Sequence, residues 1–127
     1  KNVGIDMHLP WIQKAGAWLR SVQKEDGAFG ESADSYENPN LKGTGPSTPS
    51  QTAWGTMALM AIYGPHDSGV RRGIRYLLDT QLESGDWDEP WFTGTGFPRV
   101  FYLRYHLYRL YFPIMCLGRW IQAVHGR

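Results

Sequence analysis

The stretch KAGAWLRSVQKEDGAF, residues 14 to 29, returns 58 residues later as RGIRYLLDTQLESGDW, residues 72 to 87. Paired without a gap, the copies set Lys14 on Arg72, Trp18 on Tyr76, Leu19 on Leu77, Gln23 on Gln81 and Gly27 on Gly85. Each passes through a helical stretch, a Gln, an acid-bearing turn, a Gly and an aromatic residue. A unit of this size cannot bury an apolar face alone, so its repetition points to stacked helical hairpins.

Local signals agree. Pro10 suits a first helical turn, and Trp11, Ala15, Trp18, Leu19 and Val22 keep helical spacing until EDG stops it. Val70, Ile74, Leu77, Leu78 and Gln81 repeat that face before SG. Between the copies lies a Gly, Pro and Ser-rich loop, followed by a marked helix start. There Thr48 is the expected cap, Pro49 the first-turn residue and Gln51 the return arm of a capping box, with Trp54, Met57, Ala58, Ala61 and Ile62 as the buried face.

Residues 97 to 112, FPRVFYLRYHLYRLYF, hold eight aromatic rings, His106 included, and no acid. Phe97, Phe101, Tyr105, Tyr108 and Phe112 fall on one helical stripe, with Val100, Leu103, Leu107, Leu110 and Ile114 beside it. The spacing predicts an aromatic helix covered by protein on several sides. Pro113 is expected to kink or interrupt it. Strands have little room in this plan.

A chain of 127 residues can bury one core, and it begins at Lys1 without a start Met, so it reads as a single excised segment. No apolar run reaches the roughly 18 residues of a spanning helix. Cys116 is the sole cysteine, which excludes a disulfide framework and a thiolate metal cluster and fits a reducing compartment. The four histidines have no mutual ligand spacing, so no metal is expected. The GTG stretches at 43 to 45 and 94 to 96 lack the residues that complete a phosphate loop. Net charge is +1, yet all twelve acids lie before residue 97 and five arginines lie after it. Such a basic aromatic third could meet nucleic acid or an anionic bilayer; pairing with the upstream acids is the plainer account.

In the Gln-x-x-x-Gly-x-aromatic element, the amide both donates and accepts, Gly permits a tight turn, and the ring can cover what it encloses. The expected task is to tie a helix end to a neighbouring helix. With its basic residue and aromatic-aliphatic pair, the element resembles the QW motif of triterpene cyclases, most closely the squalene-hopene cyclases. Residues 72 to 87 fit it fully, and 14 to 29 fit with Phe29 in place of Trp. STPSQTAW, WDEPWFTGTGFP and FYLRYHLYRLYFP…LGRW resemble that family's C-terminal part.

The resemblance implies an all-α fold of helical hairpins, residues 1 to 127 forming the C-terminal part of an (α/α)6 barrel. It implies a cofactor-free isomerase that cyclises squalene to hopene and hopanol through carbocations. The parent would be a homodimer, monotopic on the cytoplasmic face of the cell membrane, with no nucleic-acid partner. The motif residues carried over are Gln23, Gly27, Phe29, Gln81, Gly85 and Trp87. Phe97, Phe101, Tyr105 and Tyr108 match the family's cavity-lining aromatics, and Leu103 could narrow the cavity. The family's Asp-x-Asp-Asp acid is absent from this sequence, and DWDE at 86 to 89 is read as caps or solvated charge. The segment alone is therefore expected to be inactive, needing the missing N-terminal part of the same protein. Helix faces that would meet that part suggest self-association or exchange of elements between copies.

Rings suit such chemistry because they offer negative potential without attacking the cation. Packing of an ordinary core is the competing account of the stripe, and Trp54 and Trp87 are read as core and turn residues. An outward, solvent-facing placement of Phe97 and Phe101 would remove the physical footing of the cyclase argument. The alternatives are a non-catalytic helical-repeat module on anionic membranes, and an α/α-barrel carbohydrate enzyme needing two converging acids.

Overall fold

A computed structural model describes residues 3–92, 94–97 and 99–126; the side chain of Thr95 lies outside the description. Four helices dominate: α1, Pro10–Val22; α2, Pro49–Tyr63; α3, Ser68–Asp79; and α4, Tyr108–His125. Two 3-10 turns, Ala33–Tyr36 and Pro39–Leu41, lie in the long first loop. Two short strands, β1 (Gly94–Phe97) and β2 (Phe101–Leu103), form an antiparallel hairpin before α4.

The second helix is the hub. It packs on α1, α3 and α4, and its buried positions are mostly small: Ser50, Thr52, Ala53, Gly55 and Thr56, with Leu59 and Met60 further on. Small residues let three neighbours approach, so the expected face of Trp54, Met57, Ala58, Ala61 and Ile62 is only half-buried. The core joins Phe29, Ala53, Leu59, Met60, Val70, Ile74, Leu77 and Cys116. Burial pushes the Cys116 thiol up to about 12, as befits a packed thiol.

Helix starts follow their signals. Pro10 and Pro49 take first-turn positions, and the Thr48 hydroxyl accepts from Gln51 N at 3.2 Å. Gln51 does not reach back to Thr48. Its amide instead grips the backbone of Glu31, accepting from N at 2.6 Å and donating to O at 3.2 Å. The first-loop backbone leaves these groups open, and a long-range pair satisfies more of them than a local box would.

Several expectations are corrected, among them that strands have little room. On α1 the buried residues are Ile12 and Gly16, whereas Trp11 and Trp18 are exposed; the helix is rotated so that Gly16 can accept the Tyr63 ring. The aromatic helix does not begin at Phe97. The hairpin pairs Gly94 with Leu103 and Phe97 with Phe101, with an irregularity at the glycine between, and α4 starts only at Tyr108. Arg99 adopts φ 66°, a left-handed turn that no helix contains. Val100, Leu107 and Ile114 are accordingly exposed instead of covered. Past that point the helix runs through Pro113 without a break, the fully buried proline forgoing one hydrogen bond.

Candidate functional site

The repeated element is a working joint in its first copy. Gln23 Nε2 donates to Gly27 O at 3.0 Å, closing the turn, and to Gly69 O at 2.8 Å in the first turn of α3. Its Oε1 accepts from Arg72, the basic residue of the second copy, at 2.9 Å. Gly27 has φ 92°, and a Cβ there would run into the Arg72 backbone, so both chirality and space require glycine. Phe29 is buried with its ring over Gly55; its backbone N donates to the Thr52 hydroxyl at 3.0 Å and its O accepts from Thr48 N at 3.1 Å.

The second copy closes its own turn in the same way, Gln81 Nε2 donating to Gly85 O at 2.8 Å. Trp87 is fully buried and donates from Nε1 to Leu77 O at 2.8 Å. Arg109 of α4 fastens this turn, reaching Asp86 Oδ2 at 2.6 Å and Trp87 O at 2.5 Å. Here Gly85 has φ 87° with nothing against the space a Cβ would fill.

The DWDE acids divide as caps and surface charge. Glu89 is buried 39 residues from its partner, accepting from Ser50 N at 2.9 Å and Ser50 Oγ at 2.8 Å at the start of α2. Desolvation raises its pKa against those hydrogen bonds. The Ser84 hydroxyl, and then the Arg109 guanidinium, hold the Asp86 carboxyl below its ordinary value. Asp88 is exposed.

The aromatic residues gather in two groups. Trp54 meets Tyr108 and Phe112 edge-on, centroids 5.7 and 5.0 Å away, and Tyr105 stacks on Tyr108 at 4.7 Å. Phe97 and Phe101 form an edge-to-face pair at 5.9 Å on the hairpin. Their seats explain the second GTG: a Cβ on Gly94 would strike the Tyr105 ring, and one on Gly96 the Phe101 ring. The hairpin tip is pinned by Arg99, which donates to Tyr36 O at 2.9 and 3.0 Å and pairs with Glu37 at 3.3 Å.

A cavity of about 470 Å³ lies beside these groups, walled by Trp18, Phe29, Tyr36, Trp54 and Phe92, with Glu31 and Lys42 among its polar residues. Phe97, Phe101, Leu103, Tyr105 and Tyr108 are not in its wall. Phe97 is 64% exposed and Phe101 45%. The stripe argument, which required these two to face a dry chamber, is therefore not met by this chain's own fold. Tyr105 borders a smaller polar cavity of about 180 Å³ with Asp88, Glu89, Arg104, His106 and Arg109. Sequence spacing missed Trp54 as a wall residue; the signal was its place on a helix of small residues, which leaves a large ring only the periphery.

Interlocked copies of one turn, a glycine-seated aromatic hairpin and a ring-rich helix start occur together in a known family. The squalene-hopene cyclase C-terminal domain model matches residues 1–122. This chain belongs to that family. A squalene-hopene cyclase of Bradyrhizobium diazoefficiens is 52% identical over 119 residues, covering 92% of this chain and 18% of the relative. That of Alicyclobacillus acidocaldarius is 53% identical over 98 residues, covering 77% and 16%. A dammaradiene synthase of Dryopteris crassirhizoma is 41% identical, covering 89% and 18%. The chain thus spans less than a fifth of the length of these curated relatives. The cyclase resemblance and the mostly helical fold are both upheld, and the family rests on these matches independently of where Phe97 and Phe101 point.

Proposed function

We propose that this chain is the C-terminal portion of a squalene-hopene cyclase, an isomerase that folds squalene and closes it to hopene and hopanol through successive carbocations. The observation that carries this reading is the family match over residues 1–122. In the parent, residues 1 to 127 would form part of an (α/α)6 barrel, the two QW-type turns locking successive hairpins. Phe97, Phe101, Tyr105 and Tyr108, with Leu103 beside them, would line the substrate cavity once the rest of the protein covers the hairpin. Supporting this are the close ring contacts among Trp54, Tyr105 and Tyr108.

In such a cavity each ring contributes on the order of 0.5–2 kcal/mol to a nearby cation. Exclusion of water prevents early quenching. The initiating proton must come from an acid outside these residues, because the sequence holds no Asp-x-Asp-Asp and its buried carboxylate, Glu89, is committed to the start of α2. No cofactor or metal has a role in this chemistry. The parent would act as a homodimer resting on the cytoplasmic face of the cell membrane.

The test is Phe101→Ala in the full-length parent. Premature or impaired cyclisation is expected, read as partly cyclised products by gas chromatography; an unchanged product distribution removes Phe101 from the cavity. Purified 127-residue chain incubated with squalene should give no hopene, and detectable hopene would overturn the assignment of the acid elsewhere.

A further inference from the structure

We infer that Arg99 is a positioning residue for the cyclisation: its side chain latches the hairpin that carries Phe97 and Phe101 onto the loop walling the larger cavity, and so sets where those rings meet the substrate. The inference rests on the cyclase reading above and adds to it a residue that touches no reacting atom.

The turn itself does not account for the arginine. Phe97 O accepts from Val100 N at 3.0 Å, which makes Arg99 the third residue of a tight turn. Its φ is 66°, in the left-handed region where a Cβ crowds the backbone and glycine is the usual occupant. Every other positive φ among the described residues belongs to a glycine. A side chain kept at that cost has work outside the turn.

That work is a reach across 63 residues, to the first loop. Nε and Nη2 both donate to Tyr36 O, at 3.0 and 2.9 Å, and Nε lies 3.3 Å from Glu37 Oε1. The carbonyl bonds carry the hold, since an ion pair between two exposed side chains is weak. The second strand joins in. Arg99 N donates to the Tyr102 hydroxyl at 3.2 Å, and the Tyr102 ring stacks on Tyr36 at 6.1 Å.

The loop is anchored in turn to α2. Gln51 of that helix holds the backbone of Glu31, Glu31 accepts from Gly43 N at 2.7 Å, and Ser32 N donates to Thr44 O at 3.0 Å. Glu31, Tyr36 and Gln51 line the cavity, as do Phe92 and Gly94 at the base of the hairpin. A connected run of bonds therefore leads from the hub helix to Arg99, which Phe97 and Phe101 flank on either side. Strand pairing alone would hold those rings poorly: a two-stranded hairpin is marginal in water, and this one is irregular between Thr95 and Phe97. What a ring contributes to a cation depends on its placement, so the latch governs how far ring closure proceeds.

The experiment compares wild type, Arg99→Gly and Phe101→Ala in the full-length parent, with squalene as substrate. Glycine takes φ 66° without strain, so Arg99→Gly keeps the turn and removes only the latch. By hydrogen–deuterium exchange, Ala33–Tyr36, Gly94–Phe97 and Phe101–Leu103 should lose protection at least about tenfold in Arg99→Gly, and the helices should not. By gas chromatography, the share of partly cyclised products should rise at least about threefold, with squalene consumption falling by less, because the first protonation takes place elsewhere. A merely structural loss would lower consumption and leave the product shares alone. That result, unchanged exchange, or protection lost throughout the protein would each overturn the inference. Where Phe101→Ala alters the products and Arg99→Gly does not, the inference falls and the cavity reading stands. Where neither alters them, the hairpin lies outside the cavity and both fall.

Discussion

Two glycines at matched positions separate conformation from contact. Gly27 and Gly85 both hold left-handed φ, 92° and 87°, but only Gly27 lies against another helix. Gly85→Ala should cost about 1–2 kcal/mol, the left-handed penalty alone. Gly27→Ala adds a backbone collision and should cost clearly more, by chemical denaturation of each variant. Glu89 offers a titration test. Its folded pKa is raised, so the native state holds its proton more tightly than the unfolded chain; the stability it contributes is fully present below the unfolded value of about 4.3 and is lost as pH rises through the folded value. Asp86, with a lowered pKa, has the opposite sign and loses its contribution as pH falls. Glu89→Gln should flatten the decline towards neutral pH while weakening one Ser50 hydrogen bond, at about 1 kcal/mol; an unchanged slope in urea denaturation from acid to neutral pH would show the carboxylate to be solvated. The Gln-Gly pairing was legible here because closing a turn is a local act. The Glu89–Ser50 contact was not, since 39 residues separate the partners.

Among the elements, the hairpin shows where periodicity misleads. Spacing by three and four also fits an alternation interrupted by glycine, and Gly94–Phe97 and Phe101–Leu103 follow the latter because their rings need glycine seats and Arg99 finds Tyr36 and Glu37 in a distant loop. Gly96→Ala should unseat Phe101 and weaken the cross-strand contact of Gly94 with Leu103, visible as lost nuclear Overhauser effects; retention of both would mean that the ring yields freely. Phe29 tests the first repeat. The second copy has Trp87 at this position, but the ring here is buried against Gly55, so Phe29→Trp should overpack and destabilise by about 1–3 kcal/mol in thermal unfolding. Stabilisation instead would mean that the clasp is merely underfilled. Trp11 and Trp18 teach the same point: an aromatic residue at helical spacing is a candidate for burial, and only the neighbour's shape, here Tyr63 over Gly16, selects the face.

For the molecule as a whole, α2 gathers three helices and Trp87 closes the second turn beneath them. Trp87→Ala removes a fully buried ring and its hydrogen bond to Leu77, and should cost about 3–5 kcal/mol by denaturant titration. A cost below about 1 kcal/mol would place Trp87 outside the cooperative core. The sequence by itself determined the family, the repeat and the Thr48 cap, because each depends on residue types at short, fixed offsets. Tertiary structure decided which rings are buried, where the last helix begins and what stands in the cavity wall. Those outcomes depend on contacts between residues far apart in the chain, where small side chains on α2 and glycines in the hairpin leave room that no local pattern records.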